Sequence, residues 1–478
     1  MRKGFLIVAA MLLTLSLPAI AQEKHYYQTD FLPAEFAERR AKVFQAIGNK
    51  AIAIIQSAAD VNGFVVFRQS NTFYYLSGLE TPHSYLVLDG RRKTATVYLP
   101  RRNEGRERSE GKTLALEDAD LITKLTGLDR VRGIEFLSQD LAGSQLRPPA
   151  PLIYTPLSPV EKGQDSRDEL LRGQSRIAAN PFDERISKEA HLKNALQKRF
   201  PQFEVRDLSP TLDAMRLIKS KREIALVREA TRIAGLAIIE AMRSTKPGVY
   251  EYELDAAAKY IFHANGARGE GYSSIIAGGK NAWMGHYFRK TDKLQSGGFV
   301  LMDFAPDYRY YTSDVTRIWP VNGKFTNDQR QLAEFVAAYR DALFRPIKPG
   351  VTSEQVLDAA ASEMAKWLSS RKIDNPIYLK AMREGLKFRG HFQHSVGMAV
   401  HDVGTARGVK LKPGMIFTID PMIWIPEEKM YVRIEDMAVV TETGVENMSA
   451  FVPSLPNEIE RVMKEQGIVQ FRPSEKTP

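Results

Sequence analysis

The strongest constraint on this 478-residue chain is an internal echo. Leu294-Gln-Ser-Gly-Gly-Phe-Val-Leu-Met-Asp303 is matched 117 residues later by Leu411-Lys-Pro-Gly-Met-Ile-Phe-Thr-Ile-Asp420. In each copy an apolar run too short for a helix delivers a carboxylate to a buried strand end. A second pair of segments, Lys246-Pro-Gly-Val249 with Leu254-Asp-Ala-Ala-Ala258, recurs as Lys348-Pro-Gly-Val351 with Leu357-Asp-Ala-Ala-Ala361, at offsets of 102 and 103. Each copy lies between two helical stretches and precedes one acidic strand. The region therefore reads as two related halves that face their carboxylates towards a common centre.

Each acidic strand predicts a hairpin. The midpoint between Asp303 and Asp314 falls between Tyr308 and Arg309, just after the turn-favouring pair Pro306-Asp307, so a hairpin folded there sets the two aspartates directly opposite each other. In the second half the partner of Asp420 is Glu435, with the tip between Glu427 and Glu428 after Pro426. Opposed Cβ atoms stand roughly 4.5 to 5.5 Å apart, and like charges so placed destabilise a sheet. Either a carboxyl takes up a proton or a cation sits between them.

Between the hairpins, Arg389-Gly-His391-Phe-Gln-His394-Ser-Val-Gly-Met-Ala-Val-His401-Asp-Val-Gly404 holds three of the chain's eight histidines. Any one of them alone reads as a hydrogen-bonded core residue. Clustered beside two acidic hairpins they read as ligands, and imidazole with carboxylates suits Mn, Co, Fe or Zn rather than Mg or Ca.

These motifs resemble the pita-bread metallopeptidases, and within them aminopeptidase P and its relative prolidase. The resemblance is strong over about 210–450 and weaker before that. It implies five ligands on two divalent metal ions: Asp303 in Asp-Phe-Ala, Asp314 in Ser-Asp-Val-Thr-Arg, His394 in His-Ser-Val-Gly, Asp420 in Thr-Ile-Asp-Pro and Glu435 in Arg-Ile-Glu-Asp. Manganese ranks first, with cobalt, zinc or iron admissible. By the same resemblance Asp314 and Glu435 bridge both ions, Asp303 completes one, and His394 with Asp420 completes the other. His286, His391 and His401 match substrate-facing histidines, and Arg433 sits where a cation would steady the ligand carboxylates. One position departs from the pattern: the family usually has glutamate where Asp420 stands, a side chain longer by one methylene.

The implied fold is mixed α/β (α+β), an N-terminal α/β domain followed by the duplicated pita-bread domain. The expected division is a signal peptide over 1–21, the N-terminal domain over 22–185, a linker helix region over 186–211, the catalytic domain over 212–455 and a tail over 456–478. Met1 to Ala21 carries Arg2 and Lys3, an apolar run from Phe5 to Leu17, and Ala19-Ile-Ala21 before Gln22. That is the pattern of a cleavable secretory signal, and the run is shorter than the roughly 20 residues a membrane span needs. A periplasmic or secreted protein with no remaining membrane anchor is expected.

The absence of cysteine excludes disulfides and leaves any metal site to His, Asp and Glu. Loss of the signal removes Arg2 and Lys3 and no acid, so the net charge falls from +10 to +8. The basic runs Arg91-Arg-Lys93 and Arg101 to Lys112 have acids interspersed or few aromatics, and a solvated loop explains them better than nucleic acid does.

In the N-terminal domain a helix is expected over Ala34 to Ile47, closed by Gly48, and strands over 51–55, 64–67, 85–88 and 94–98. Phe67 to Gly78 resembles the domain that accompanies aminopeptidase P. The five prolines of 147–159 and the polar stretch to about Arg172 read as a surface loop or partial linker. A helix over 187–199 and a long amphipathic helix ending before Lys246 follow, with a short helix near 458–466.

Two divalent ions can share a water, lower its pKa towards neutrality and hold the resulting hydroxide against a carbonyl carbon. The resemblance therefore implies an exported Xaa-Pro aminopeptidase acting on peptides with proline at the second position. The alternatives are an Xaa-Pro dipeptidase (prolidase), restricted to two-residue substrates, and a non-catalytic binding module on the same fold. A homodimer or homotetramer is compatible with any of these.

Overall fold

Helix Pro33–Ile47 is the first helix of the described residues, with proline in its first turn and Gly48, at φ 71°, ending it. The structure is a computed structural model that describes residues 27–61, 63–145 and 152–471. The signal segment expected over 1–21 lies outside the described residues. Phe36, Val43 and Ile47 bury the apolar side of the helix as the pattern predicts, but Arg39 and Arg40 are buried with them. Their guanidiniums donate to the carbonyls of Tyr75 (3.0 Å), Leu76 (3.0 Å) and Thr126 (2.9 Å), the unpaired acceptors at the ends of helices Asn71–Ser77 and Ala119–Thr126.

The helix packs on a six-stranded sheet built from β1 (Ala51–Gln56), β2 (Tyr85–Asp89), β3 (Thr94–Leu99), β4 (Arg130–Gly133), β5 (Leu152–Thr155) and β6 (Val205–Asp207), in the order β4-β3-β2-β1-β5-β6. Two expectations fail here. Phe64 to Phe67 forms no strand, and Phe64, Val65 and Val66 are exposed. Both sides of β1 are already paired, and the Arg68 ion pair with Asp307 (2.6 Å) leads the chain away from the sheet. The region expected as loop or linker instead supplies β5, inside the sheet between β1 and β6, and then helix Arg167–Ala178. The helix expected over 187–199 is present as Lys188–Arg199, and the same 186–211 region also adds the edge strand β6.

The second region shows the duplication in its backbone. Helices Lys221–Ser244 and Glu251–Ala264 precede the first acidic strand, and helices Asn327–Phe344 and Ser353–Ser369 precede the second. Between the members of each pair a glycine turns the chain, Gly248 at φ 88° and Gly350 at φ 89°, conformations that a Cβ would strain. Gly248 N–H donates to Leu294 O (2.9 Å) and Leu294 N–H returns to Val249 O (2.8 Å); Gly350 and Leu411 repeat this with Val351 at 2.9 and 2.8 Å.

The strands of this region are β7 (Gly269–Glu270), β8 (Ile275–Gly278), β9 (Phe299–Asp303), β10 (Pro306–Asp307), β11 (Thr316–Pro320), β12 (Phe392–Ser395), β13 (Ile416–Ile419), β14 (Met422–Ile425), β15 (Met430–Arg433), β16 (Asp436–Val440) and β17 (Val445–Asn447). They form the sheets β11-β9-β8 and β12-β13-β16-β17 and the pairs β7/β10 and β14/β15. A bridge between Thr316 and Glu435 stitches the two halves together at their centre, with N–H to O distances of 3.2 and 3.1 Å.

In the second hairpin Met422 faces Arg433 and Ile419 faces Asp436, the register that places Asp420 and Glu435 level with each other. The first hairpin is shifted. Thr316, not Asp314, stands opposite Asp303, and the tip is Arg309-Tyr310 between the bridged Tyr308 and Tyr311. Both tip residues have positive φ, 52° and 74°, the conformation that lets a two-residue turn match strand twist. Pro306-Asp307 lies in β10, paired with β7, and is not the tip. Asp314 is two residues from Thr316 on the same strand path, so it keeps the face of Asp303 while giving up direct opposition.

Among the described residues no helix is long and apolar enough to cross a membrane.

Candidate metal centre

Four carboxylates meet where the two halves join. Asp303 ends β9, Asp314 precedes β11, Asp420 follows β13, and Glu435 lies between β15 and β16. Their exposures are 5%, 4%, 2% and 1%. One guanidinium answers them: Arg433 is in hydrogen-bond contact with Asp303 and stands 3.6 Å from Asp420 and 3.7 Å from Glu435. His394, at the end of the cluster, has Nε2 3.4 Å from Asp314 Oδ2. The hydroxyl of Tyr272 bridges Asp303 (2.6 Å) and Asp314 (2.8 Å), and Thr316 Oγ1 donates to Glu435 (3.0 Å).

Charge does not balance among these side chains. Burial pushes the Asp314 and Asp420 carboxyls well above the usual range, and the nearby Glu435 pushes both further. Burial acts on Asp303 too, but Arg433 and the Tyr272 hydrogen bond outweigh it and hold that carboxyl low. A buried group of four acids with one guanidinium is stable only with more positive charge or added protons.

The donor set fits divalent metal. Ligand atoms of Asp314, His394 and Glu435 all lie within 4.8 Å of one another. Asp420 Oδ1 is buried with no hydrogen-bond partner, and an orphaned carboxylate oxygen in a cluster of this composition is a ligand atom in kind.

The helper histidines separate into three cases. His401 comes to the site: its ring centroid lies 4.2 Å from that of His394, and its Nδ1 hydrogen-bonds Asp168 Oδ2 at 3.0 Å. His286 is exposed, its ring stacked on Phe288 at 6.0 Å, with no hydrogen bond joining it to the acidic cluster among the described residues. His391 does not face the site. It is fully buried, set edge-on against Tyr339 (4.7 Å) and Phe388 (5.0 Å), with Nε2 on Gly385 O at 2.7 Å and Nδ1 accepting from Met422 N–H at 3.2 Å. Burial pushes its imidazole down to about 4, so it is neutral with both nitrogens engaged. Expected as a substrate-facing residue, His391 is instead a structural strut under the strand of Asp420, whose N–H donates to His391 O at 2.8 Å.

Tyr272 and Asp168 escaped sequence reasoning. Tyr272 carries no local pattern beyond the apolar run Ile275-Ile-Ala that follows it. Asp168 lies in a polar stretch with no apolar period, and helix Arg167–Ala178 has no buried residue to betray its place.

Residues 225–442 match the family described as Metallopeptidase family M24, and 36–147 match the Aminopeptidase P, N-terminal domain. The chain is 31% identical over 460 residues to an Xaa-Pro aminopeptidase of Haemophilus influenzae, covering 91% of this chain and 99% of that one. It is 29% identical over 452 residues to the Xaa-Pro aminopeptidase of Escherichia coli, covering 90% and 97%. The solved structure of aminopeptidase P from E. coli with the inhibitor Pro-Leu superposes with a TM-score of 0.71 at 27% identity, over 91% of this chain and 98% of that one.

Proposed function

Because the chain belongs to the aminopeptidase P family of the M24 metallopeptidases, we propose that it is an exported Xaa-Pro aminopeptidase, releasing the first residue from peptides whose second residue is proline. The observation that carries this reading is the convergence of ligand atoms of Asp314, His394 and Glu435 within 4.8 Å of one another across the two halves of the chain, with Asp303 and Asp420 joined to them through Arg433 around the Thr316–Glu435 bridge.

Asp314 and Glu435 would be shared between two divalent ions, manganese first among the candidates, with Asp303 on one side and His394 and Asp420 on the other. When bound, the ions polarise the scissile carbonyl and make a water nucleophilic near neutral pH. Arg433 holds the Asp303, Asp420 and Glu435 carboxylates in register, and Tyr272 fixes Asp303 against Asp314. His401 donates Nδ1–H to Asp168, and as an imidazolium paired with that carboxylate it would have Nε2–H free to donate to the carbonyl oxygen as charge develops there. His286, on the exposed segment before β9, is assigned to the substrate side. Export rests on Met1 to Ala21, a basic start, an apolar run and a small-residue cleavage site after which the mature chain begins.

The test is a peptide panel with the metal-reconstituted mature protein: an Xaa-Pro dipeptide, an Xaa-Pro-extended peptide and an Xaa-Ala control. Cleavage of the first bond in the extended peptide, with the Xaa-Ala control intact, is the expected result. Cleavage confined to the two-residue substrate would make the protein a dipeptidase, and no cleavage of any would leave a binding module.

A further inference from the structure

The polar segment 161–168 leaves the six-stranded sheet and crosses to the catalytic half, where it is held by buried charge. Glu161, 0% exposed, accepts from Arg216 (2.8 Å) and from Arg167 (2.8 Å). Arg216 continues to Asp402, which Lys219 approaches at 3.3 Å, and Arg167 also reaches Asp213 at 2.6 Å. Removing one partner from a buried network of this kind leaves an uncompensated charge, so the segment has one stable seat. That seat is beside His401, the residue before Asp402. Ser166 Oγ accepts from the His401 backbone N–H at 3.3 Å, and Gln164 Oε1 accepts from Ser273 Oγ at 3.2 Å, next to Tyr272.

We propose that Asp168 is the positioning residue of His401: its carboxylate accepts the Nδ1–H hydrogen bond, fixes the ring plane, and as the counter-ion of the imidazolium directs Nε2–H at the scissile carbonyl oxygen. This rests on the reading of His401 given above. An imidazole with two rotatable bonds and no second partner would sample several orientations, and a carboxylate on the far nitrogen removes that freedom and supplies the negative charge that pairs with a ring donating from both nitrogens. The hydrogen bond from His401, helped by Arg172 at 3.4 Å, holds the Asp168 carboxyl down to about 2, so the acceptor is charged throughout the working range. Asp168 is not itself an anchor of the segment. Its side chain is 37% exposed, and the clamp is made by Glu161, Arg167 and Arg216. The N-terminal region thus reaches into the chemistry through one carboxylate.

The test is a double-mutant cycle on the full, metal-reconstituted protein with an Xaa-Pro peptide, using Asp168→Ala, His401→Ala and the pair, with metal content and thermal midpoint measured for each. Asp168→Ala is expected to lower kcat about 10- to 100-fold, to leave KM within about twofold, and to leave metal content and thermal midpoint unchanged. In the His401→Ala background the same substitution should have no further effect, because its only route to the reaction is then gone. An Asp168→Ala loss of equal size in both backgrounds, or a loss that appears in KM or metal content, would overturn the proposal. Normal turnover in His401→Ala would overturn the reading of His401 on which it rests.

Discussion

The family resemblance implies glutamate where Asp420 stands, and the aspartate sits enclosed among buried groups. The side chain is 2% exposed, Oδ2 is 3.6 Å from Arg433, and the backbone N–H is tied to His391 O, a residue itself locked by Gly385 and Met422. Asp420→Glu is therefore expected to crowd the centre and weaken both metal binding and turnover, since a fixed ligand shell loses geometry when overfilled. Calorimetric metal titration beside a kinetic assay checks it. Tighter binding with faster turnover would mean that the aspartate falls short of its ligand position. The five acid and imidazole ligand candidates were legible residue by residue because each sits in a short motif. His391 was not separable from its neighbours in the same way. The run Gly-His-Phe-Gln-His offers two imidazoles, and only the pocket of Tyr339 and Phe388 decides that the first turns inward.

At the scale of elements, the second hairpin was legible and the first was shifted, and the difference lies in the turns. Pro426-Glu427-Glu428 is a short 3-10 turn at the point the acids predict. The first tip uses Arg309 and Tyr310 in left-handed conformations, which no glycine or asparagine announces. Tertiary contacts offset that strain. Tyr310 stacks on Tyr74 at 3.6 Å and 7°, receives a hydrogen bond from Gln69 N–H at 2.9 Å and donates to Glu80, so the tip is held by the N-terminal domain. Nothing within the hairpin's own sequence carries that information. The duplicated turns are the opposite case, since Gly248 and Gly350 share conformation, partners and sequence context. A Cβ on either meets nothing within 4 Å, so replacement costs backbone strain alone. Gly248→Ala and Gly350→Ala are each expected to destabilise by about 1–2 kcal/mol, with similar values in denaturant titrations. A cost in one half and none in the other would contradict the structural equivalence of the halves.

At the scale of the whole molecule, the division into an α/β region and a duplicated metal-binding region could be read from the echo and the acidic motifs, whereas the way the two regions meet could not. β5 hides among prolines, the helix after it buries nothing, and beside the Tyr74–Tyr310 stack the regions are joined by isolated polar contacts that include Arg68 to Asp307, Asn71 to Met398 O at 3.0 Å, Glu161 to Arg216, and Asp168 to His401. Such contacts have no periodicity to detect. They nevertheless brace the first hairpin and the His401 loop, the two pieces that must face each other for the centre to work. The account's central claim is that the carboxylates brought together by the two halves hold a pair of divalent ions and that this pair cuts peptides. Its most direct test is metal analysis with turnover of an Xaa-Pro peptide for the wild-type protein and Asp314→Asn, in which a shared anion becomes a neutral amide. Two ions per chain in the wild type, with loss of at least one ion and of activity in the variant, is the predicted result; two ions and normal turnover in Asp314→Asn would contradict it.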